Sequence, residues 1–172
     1  MVNHDKCILD IGVGQHRKCI DVLKVSANFG PDYSSALLGI HCFTGEDCNA
    51  SFRGKGKIPA LKLMDKNPVY ITTFSKLGDN WKVDDHVASM LEKFTCDLYG
   101  CHRYDKVNDA RLFKLKSMCG TKGKITKKST VDLHKLPPCF NSFLPHVLIL
   151  LTHSLSLFYE MVKISDDFFK RR

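Results

Sequence analysis

The chain has 172 residues and 44% hydrophobic content, the size of one domain with a single core, and a composition that argues against disorder. Its formal net charge is +8, from 26 Lys and Arg against 18 Asp and Glu, which favours a polyanionic partner. Eight cysteines would suit a disulfide framework in a secreted chain, but Met1-Val2-Asn3-His4-Asp5-Lys6 lacks a charged-then-apolar signal pattern, so reduced thiols in the nucleus or cytoplasm are expected.

Cys7-Ile8-Leu9-Asp10-Ile11 alternates up to Gly12-Val13-Gly14-Gln15, and Lys18-Cys19-Ile20-Asp21-Val22 resumes the extended pattern, which predicts a β-hairpin. A short helix from about Val22 to Phe29 stops at Gly30-Pro31. Asp32 or Ser34 then caps a second helix carrying Ala36, Leu37, Leu38, Ile40, His41 and Phe43, ended by Gly45. Pro59 sits where a first-turn proline is tolerated, and Ala60, Leu61, Leu63 and Met64 continue a third helix. Pro68 to Leu77 reads as a fourth, closed by Gly78-Asp79-Asn80. Asp84 or Asp85 opens a longer helix in which Val87, Met90, Leu91, Phe94, Leu98 and Tyr99 recur at three- and four-residue spacing, a core stripe. Val107 to Lys116 is a further helix, followed by a Lys/Gly/Thr/Ser-rich loop from Cys119 to Ser129. Pro137-Pro138 marks a boundary before a helical remainder, whose longest apolar run, Val147 to Phe158, is twelve residues and interrupted. About 20 apolar residues are needed to cross a bilayer, so this run is expected in a core or against a protein partner, with no membrane involved.

The positive charge falls in two islands. From Arg53 to Lys66 five basic residues stand against Asp65, and from Arg111 to Lys135 eight stand against Asp132. Such islands suit a phosphate backbone, because neutralising phosphates releases condensed counterions; the second also reads as a solvated lysine-rich loop. Within the first, Gly54-Lys55-Gly56-Lys57 combines a glycine turn, whose exposed N–H groups can grip a phosphate, with two lysines expected at the same point and a helix beginning near Ile58.

Upstream, Asp47 follows Gly45 and Glu46 at a sharp turn. Cutting a phosphodiester with two divalent metals requires several converging carboxylates, so Asp47 alone is insufficient, and it also reads as a turn residue or cap. The Cys/His pairs Cys42 with Cys48, Cys96 with Cys101 and His102, and His134 with Cys139 lack tight zinc-finger spacing, and buried thiols explain them better than zinc does. His41 beside Cys42 is no catalytic dyad, since helix neighbours point about 100° apart.

These residues together resemble a family of PIN-like, flap-endonuclease-like proteins, uncharacterised and often transposon-associated. Its signature reads Leu-x-x-x-His-x-x-Thr-Gly-Cys-Asp, then Ser and Phe, then Gly-x-Gly-Lys. It is matched here by Leu37 to His41, Thr44-Gly45-Glu46-Asp47 and Ser51-Phe52-Arg53-Gly54-Lys55-Gly56-Lys57. Further matches are Leu77-Gly78-Asp79-Asn80-Trp81, Phe94 to Gly100, Val107 to Phe113, and Leu136-Pro137-Pro138-Cys139. The resemblance implies that Asp47 corresponds to a metal-binding aspartate, with Glu46 as neighbour and a divalent ion such as magnesium as cofactor. It implies that Arg53 and Gly54 to Lys57 correspond to a hairpin that holds duplex backbone. Glu46 departs from the family's cysteine, the family's earlier acidic strands would precede Met1, and Leu148 to Leu151 stand where basic residues are expected, although His146 fits the family's histidine.

The expected fold is therefore α+β and mostly helical: the carboxy-terminal portion of a PIN-like α/β nuclease domain, with one β-hairpin and a helix-hairpin-helix-type element. Residues 1–139 form the nuclease-derived part and 140–172 a divergent helical tail. The hairpin is expected to leave apolar edges exposed. The expected function is a catalytically incomplete, nuclease-derived module contacting nucleic-acid backbone, DNA in preference to RNA. One alternative is a non-catalytic interaction protein that packs on a partner through its apolar tail. Another is an active metal-dependent nuclease within a longer product, for which Asp5, Asp10 and Asp21 are the upstream carboxylates in this chain.

Overall fold

The structure, a computed structural model, describes residues 7–46, 50–77, 84–119, 132–150, 152 and 156. Strands β1 (Ile8–Ile11) and β2 (Lys18–Asp21) pair antiparallel, with Leu9 opposite Ile20 and Asp10 opposite Cys19. This is the expected hairpin, closed by a single 3-10 turn at Gly14–His16. Every residue of β1 is exposed, Ile8, Leu9 and Ile11 included, so its pattern does not mark one buried face. Asp10 accepts from the Arg17 guanidinium across the hairpin.

Asp21 ends β2 and caps α1 (Val22–Phe29), its carboxylate accepting from the Lys24 N–H at 3.2 Å. Helix α2 (Pro31–Phe43) begins before either expected cap, Asp32 or Ser34. The reason is the Gly30-Pro31 pair: Gly30 turns the chain, and the proline ring presets the first helical φ without losing a needed N–H. Helices α3 (Lys57–Lys66), α4 (Pro68–Ser75), α5 (Asp85–Leu98) and α6 (Val107–Cys119) follow. Asn67 and Asp84 cap α4 and α5 through their side chains. Helix α6 runs three residues past the expected end at Lys116. Residues 140–150 form α7, the start of the expected helical tail. The Gly78-Asp79-Asn80 stop and the 120–131 loop lie outside the described residues.

Packing starts from the crossing of α2 and α4. At Gly39 a Cβ would come within 2.6 Å of the Phe74 carbonyl oxygen, so the missing side chain is what lets the two backbones approach. Above that crossing an aromatic cluster fills the centre. Phe43, at the end of α2, meets Phe74 of α4 at 5.5 Å, Phe94 of α5 at 5.8 Å, Phe52 of the following loop at 5.1 Å and His146 of α7 at 5.5 Å between ring centroids. Edge-on geometries dominate, as ring quadrupoles favour. The α5 stripe is the expected core face: Val87, Leu91, Phe94, Leu98 and Tyr99 are buried and Met90 packs against them. Phe143, Val147 and Leu150 bring α7 into the same core.

Two buried polar groups tie helix ends into this core. Glu92 of α5 accepts from the Val107 N–H at 2.9 Å and the Lys106 ammonium at 3.0 Å, satisfying the amino end of α6 from a neighbouring helix. His146 joins its Nε2 to the Phe43 carbonyl at 2.9 Å and lies against the Phe52 ring at 4.8 Å. Burial holds the His146 imidazole below its ordinary value of 6.5, more strongly than the Phe43 carbonyl supports its charged form. The unfolded chain therefore binds the extra proton first. The stability that this neutral imidazole contributes is present above about pH 6.5 and is lost as pH falls from there through the folded value. Urea midpoints measured at about pH 7.5 and pH 5.5 are expected to fall on acidification, and His146→Gln is expected to shrink that fall.

Candidate functional site

The segment between α2 and α3 is held at both ends before any ligand is considered. Thr44 closes α2, its hydroxyl donating to the Ile40 carbonyl at 2.8 Å. Gly45 then turns the chain at φ +99°, and a Cβ there would lie 2.5 Å from the Ser51 Cβ and 2.7 Å from its Cα. The backbone folds back onto itself in a space that only glycine leaves open. Phe52 is 8% exposed and packs against both Phe43 and His146, with Tyr99 edge-on at 6.5 Å. Immediately after this anchor, the Lys55 N–H donates to the Phe52 carbonyl at 2.9 Å across a turn in which Gly54 sits at φ +71°. A negative φ at Arg53 and a positive one at Gly54 make this a type II turn.

The glycines of Gly54-Lys55-Gly56-Lys57 do different things. Gly54 supplies the left-handed position; Gly56 has an extended backbone, φ −78° and ψ −177°, and precedes α3. No atom lies within 4 Å of where a Cβ would stand on either, among the described residues, so the turn faces open space. Arg53 and Lys57 are exposed and Lys55 is half-buried.

The two lysines, expected at one point, diverge. Lys57 reaches back and donates its ammonium to the Gly45 carbonyl at 2.6 Å, clasping the start of α3 to the end of α2. Lys55 goes the other way, its ammonium 5.1 Å from the centroid of the Tyr99 ring. Lys114 of α6 approaches the same ring at 5.9 Å. Both basic islands therefore meet at Tyr99, which the sequence marks only as the last member of the α5 stripe. Burial lowers the Lys55 pKa, with the charge of Lys114 as the next cause. Burial also raises the Tyr99 phenol, against the opposing pull of Arg111.

Of the expected metal ligands, Asp47 lies outside the described residues, as does Asp5. Glu46 stands 3.7 Å from His41 Nε2 with its side chain 14% exposed. Asp10 is paired with Arg17, and Asp21 is committed to the α1 cap. No three His, Cys, Asp or Glu side chains gather as a metal would require, among the described residues. That holds also for Cys96, Cys101 and His102: burial pushes the Cys96 thiol up to about 12 and raises that of Cys101, so both remain protonated. A mostly apolar groove of about 360 Å³ runs between α2 and α3, lined by Leu37, Leu38, Ile40 and Leu61 with His41, Thr44 and Lys57. No described helix is long and apolar enough to cross a membrane.

Comparison with protein-family models, with curated proteins and with solved structures finds no match to this chain. The resemblance to PIN-like nucleases rests on the residues quoted for it.

Gly45 and Gly54 separate space from backbone strain. Gly54→Ala is expected to cost about 1 kcal/mol, for the left-handed backbone alone. Gly45→Ala adds the collision with Ser51 and is expected to cost about 3 kcal/mol, read as urea midpoints at unchanged slope.

Proposed function

We propose that this chain is a nuclease-derived, catalytically incomplete module that binds nucleic-acid phosphate backbone through the turn from Arg53 to Lys57. The observation that carries the reading is the turn itself: an open, left-handed Gly54, seated on buried Phe52, with exposed Arg53 within it and Lys57, exposed, opening α3 at its end. A rigid turn loses little entropy when it takes up a phosphate. Its exposed surface offers positive charge on a short turn rather than a helix or strand shaped to enter a groove, which favours contact with backbone over bases. DNA duplexes carrying nicks or flaps are the proposed ligands, in line with the family resemblance.

Catalysis is left out of the proposal because carboxylates are committed elsewhere. Asp10 and Asp21 serve Arg17 and the α1 cap, and Glu46 faces His41. If a divalent ion such as magnesium binds, Glu46 and Asp47 are the proposed ligands. An active nuclease within a longer product would need carboxylates beyond those that the described residues bring together.

A second reading, a protein-interaction module, is favoured by one observation. Phe140, Leu144 and Leu148, spaced four residues apart, are exposed along α7, while Phe143 and Val147 on its other side are buried. Such a stripe suits a protein partner.

The backbone reading is tested by fluorescence anisotropy of nicked and flapped duplexes across a salt series. Affinity is expected to fall steeply with salt, and Arg53→Gln with Lys57→Gln to flatten the logarithmic slope by about 2, near 0.9 per lost phosphate contact. Absence of salt-sensitive binding, or an unchanged slope in the double variant, would contradict it.

A further inference from the structure

The proposed turn accounts for Lys57 and Arg53 but leaves Lys55 facing away from them, into a half-buried niche at Tyr99. Two ammonium groups share that ring, Lys55 at 5.1 Å and Lys114 at 5.9 Å from its centroid. Their charges oppose one another. Neither pairs with a carboxylate among the described residues, and the acidic groups of α5 nearby are engaged otherwise: Asp97 with Lys93, His102 and Tyr70, and Glu92 with Lys106 and the α6 amino end. Arg111, one turn before Lys114, spends a guanidinium N–H on the Pro137 carbonyl at 2.5 Å.

An aromatic face offsets part of the cost of one desolvated cation; it cannot neutralise two. The Cys101 thiol lies close enough to feel both lysines, yet burial outweighs them and keeps it protonated, so it supplies no counter-charge. The niche is also rigid. The Tyr99 N–H donates to the Thr95 carbonyl at 3.2 Å at the end of α5, its ring stands edge-on to buried Phe52, and the Lys55 backbone is fixed by its bond to the Phe52 carbonyl. What is built here is a pair of cations on one fixed ring whose charge no carboxylate among the described residues balances.

We propose that Lys55 and Lys114, supported on Tyr99, form a phosphate clamp that takes one phosphodiester group of the same backbone whose neighbouring phosphates meet the turn. The identification of its ligand as a phosphodiester rests on the backbone-binding reading above; the anion-binding geometry rests on Lys55, Lys114 and Tyr99 alone. A tetrahedral phosphate has oxygens for both ammoniums at once, and its charge offsets their mutual repulsion. The clamp gives the second basic island a defined point of contact. It also lengthens the footprint from the start of α3 across the end of α5 to α6.

The test uses inorganic phosphate as probe and the Tyr99 ring resonances of the full chain as readout. Titration at constant ionic strength is expected to move those resonances saturably, with half-saturation at about 1–10 mM. Lys55→Gln and Lys114→Gln are each expected to weaken the response about tenfold while other resonances stay in place; Arg at either position is expected to restore most of it. Tyr99 signals that ignore phosphate, or that respond in the glutamine variants as strongly as in the unaltered chain, overturn the clamp. Duplex binding measured in parallel separates the two readings. Salt-sensitive retention with silent Tyr99 signals leaves the turn standing and removes the clamp, whereas a lysine-dependent phosphate response without duplex retention does the reverse.

Discussion

The packing of Phe43 against four other rings is the contact on which the rest of this structure depends. It sits at the last turn of α2, where it joins Phe74 of α4, Phe94 of α5, Phe52 of the loop and His146 of α7. Each partner comes from a different part of the chain, so one side chain holds the helical core together and fixes the start of the basic turn. The tip of the turn packs on nothing: Gly54 and Gly56 have open space where side chains would be, and Arg53 is exposed. Its order is borrowed from Phe52, whose burial transmits the rigidity of the core to the adjoining backbone.

Charge follows the same anchor. With Phe52 fixed, the lysine three residues on is delivered to Tyr99, and the next, at the first position of α3, returns to the Gly45 carbonyl. The divergence of Lys55 and Lys57 turns one expected cluster into two structural roles, a clasp and a cationic niche. The hairpin and α1 stand apart from this scheme, with Ile8, Leu9, Ile11, Leu23, Val25 and Phe29 exposed. Their register and caps are local, made by Asp10 with Arg17 and by Asp21.

Much of this was legible in the residues because it depends on short-range chemistry. The three- and four-residue recurrence from Val87 to Tyr99 identified the buried face of α5, and Asp84 capped it as expected. The hairpin followed from alternation around a glycine-rich turn, and the α+β, mostly helical class from the balance of elements. Other features depend on distance in sequence. Nothing local to Gly39 announces the backbone of Phe74, and Glu92 carries no mark of a helix amino end fifteen residues later. The meeting of Lys55 with Lys114 at Tyr99 required the fold, because periodicity assigns Tyr99 to the core and says nothing of cations on its ring. The start of α2 differs from the expected caps for a local reason: a proline at the first helical position outweighs the polar residues behind it.

The central claim, that the aromatic core makes the basic turn rigid, is tested most directly by hydrogen exchange at the Lys55 amide, which donates to the Phe52 carbonyl at 2.9 Å. The account predicts that this amide exchanges about tenfold or more below its free-peptide rate. It predicts further that Phe52→Ala abolishes the protection while the amides of α5 keep theirs. Exchange at the free-peptide rate in the unaltered chain, or protection that survives removal of the Phe52 ring, would contradict it.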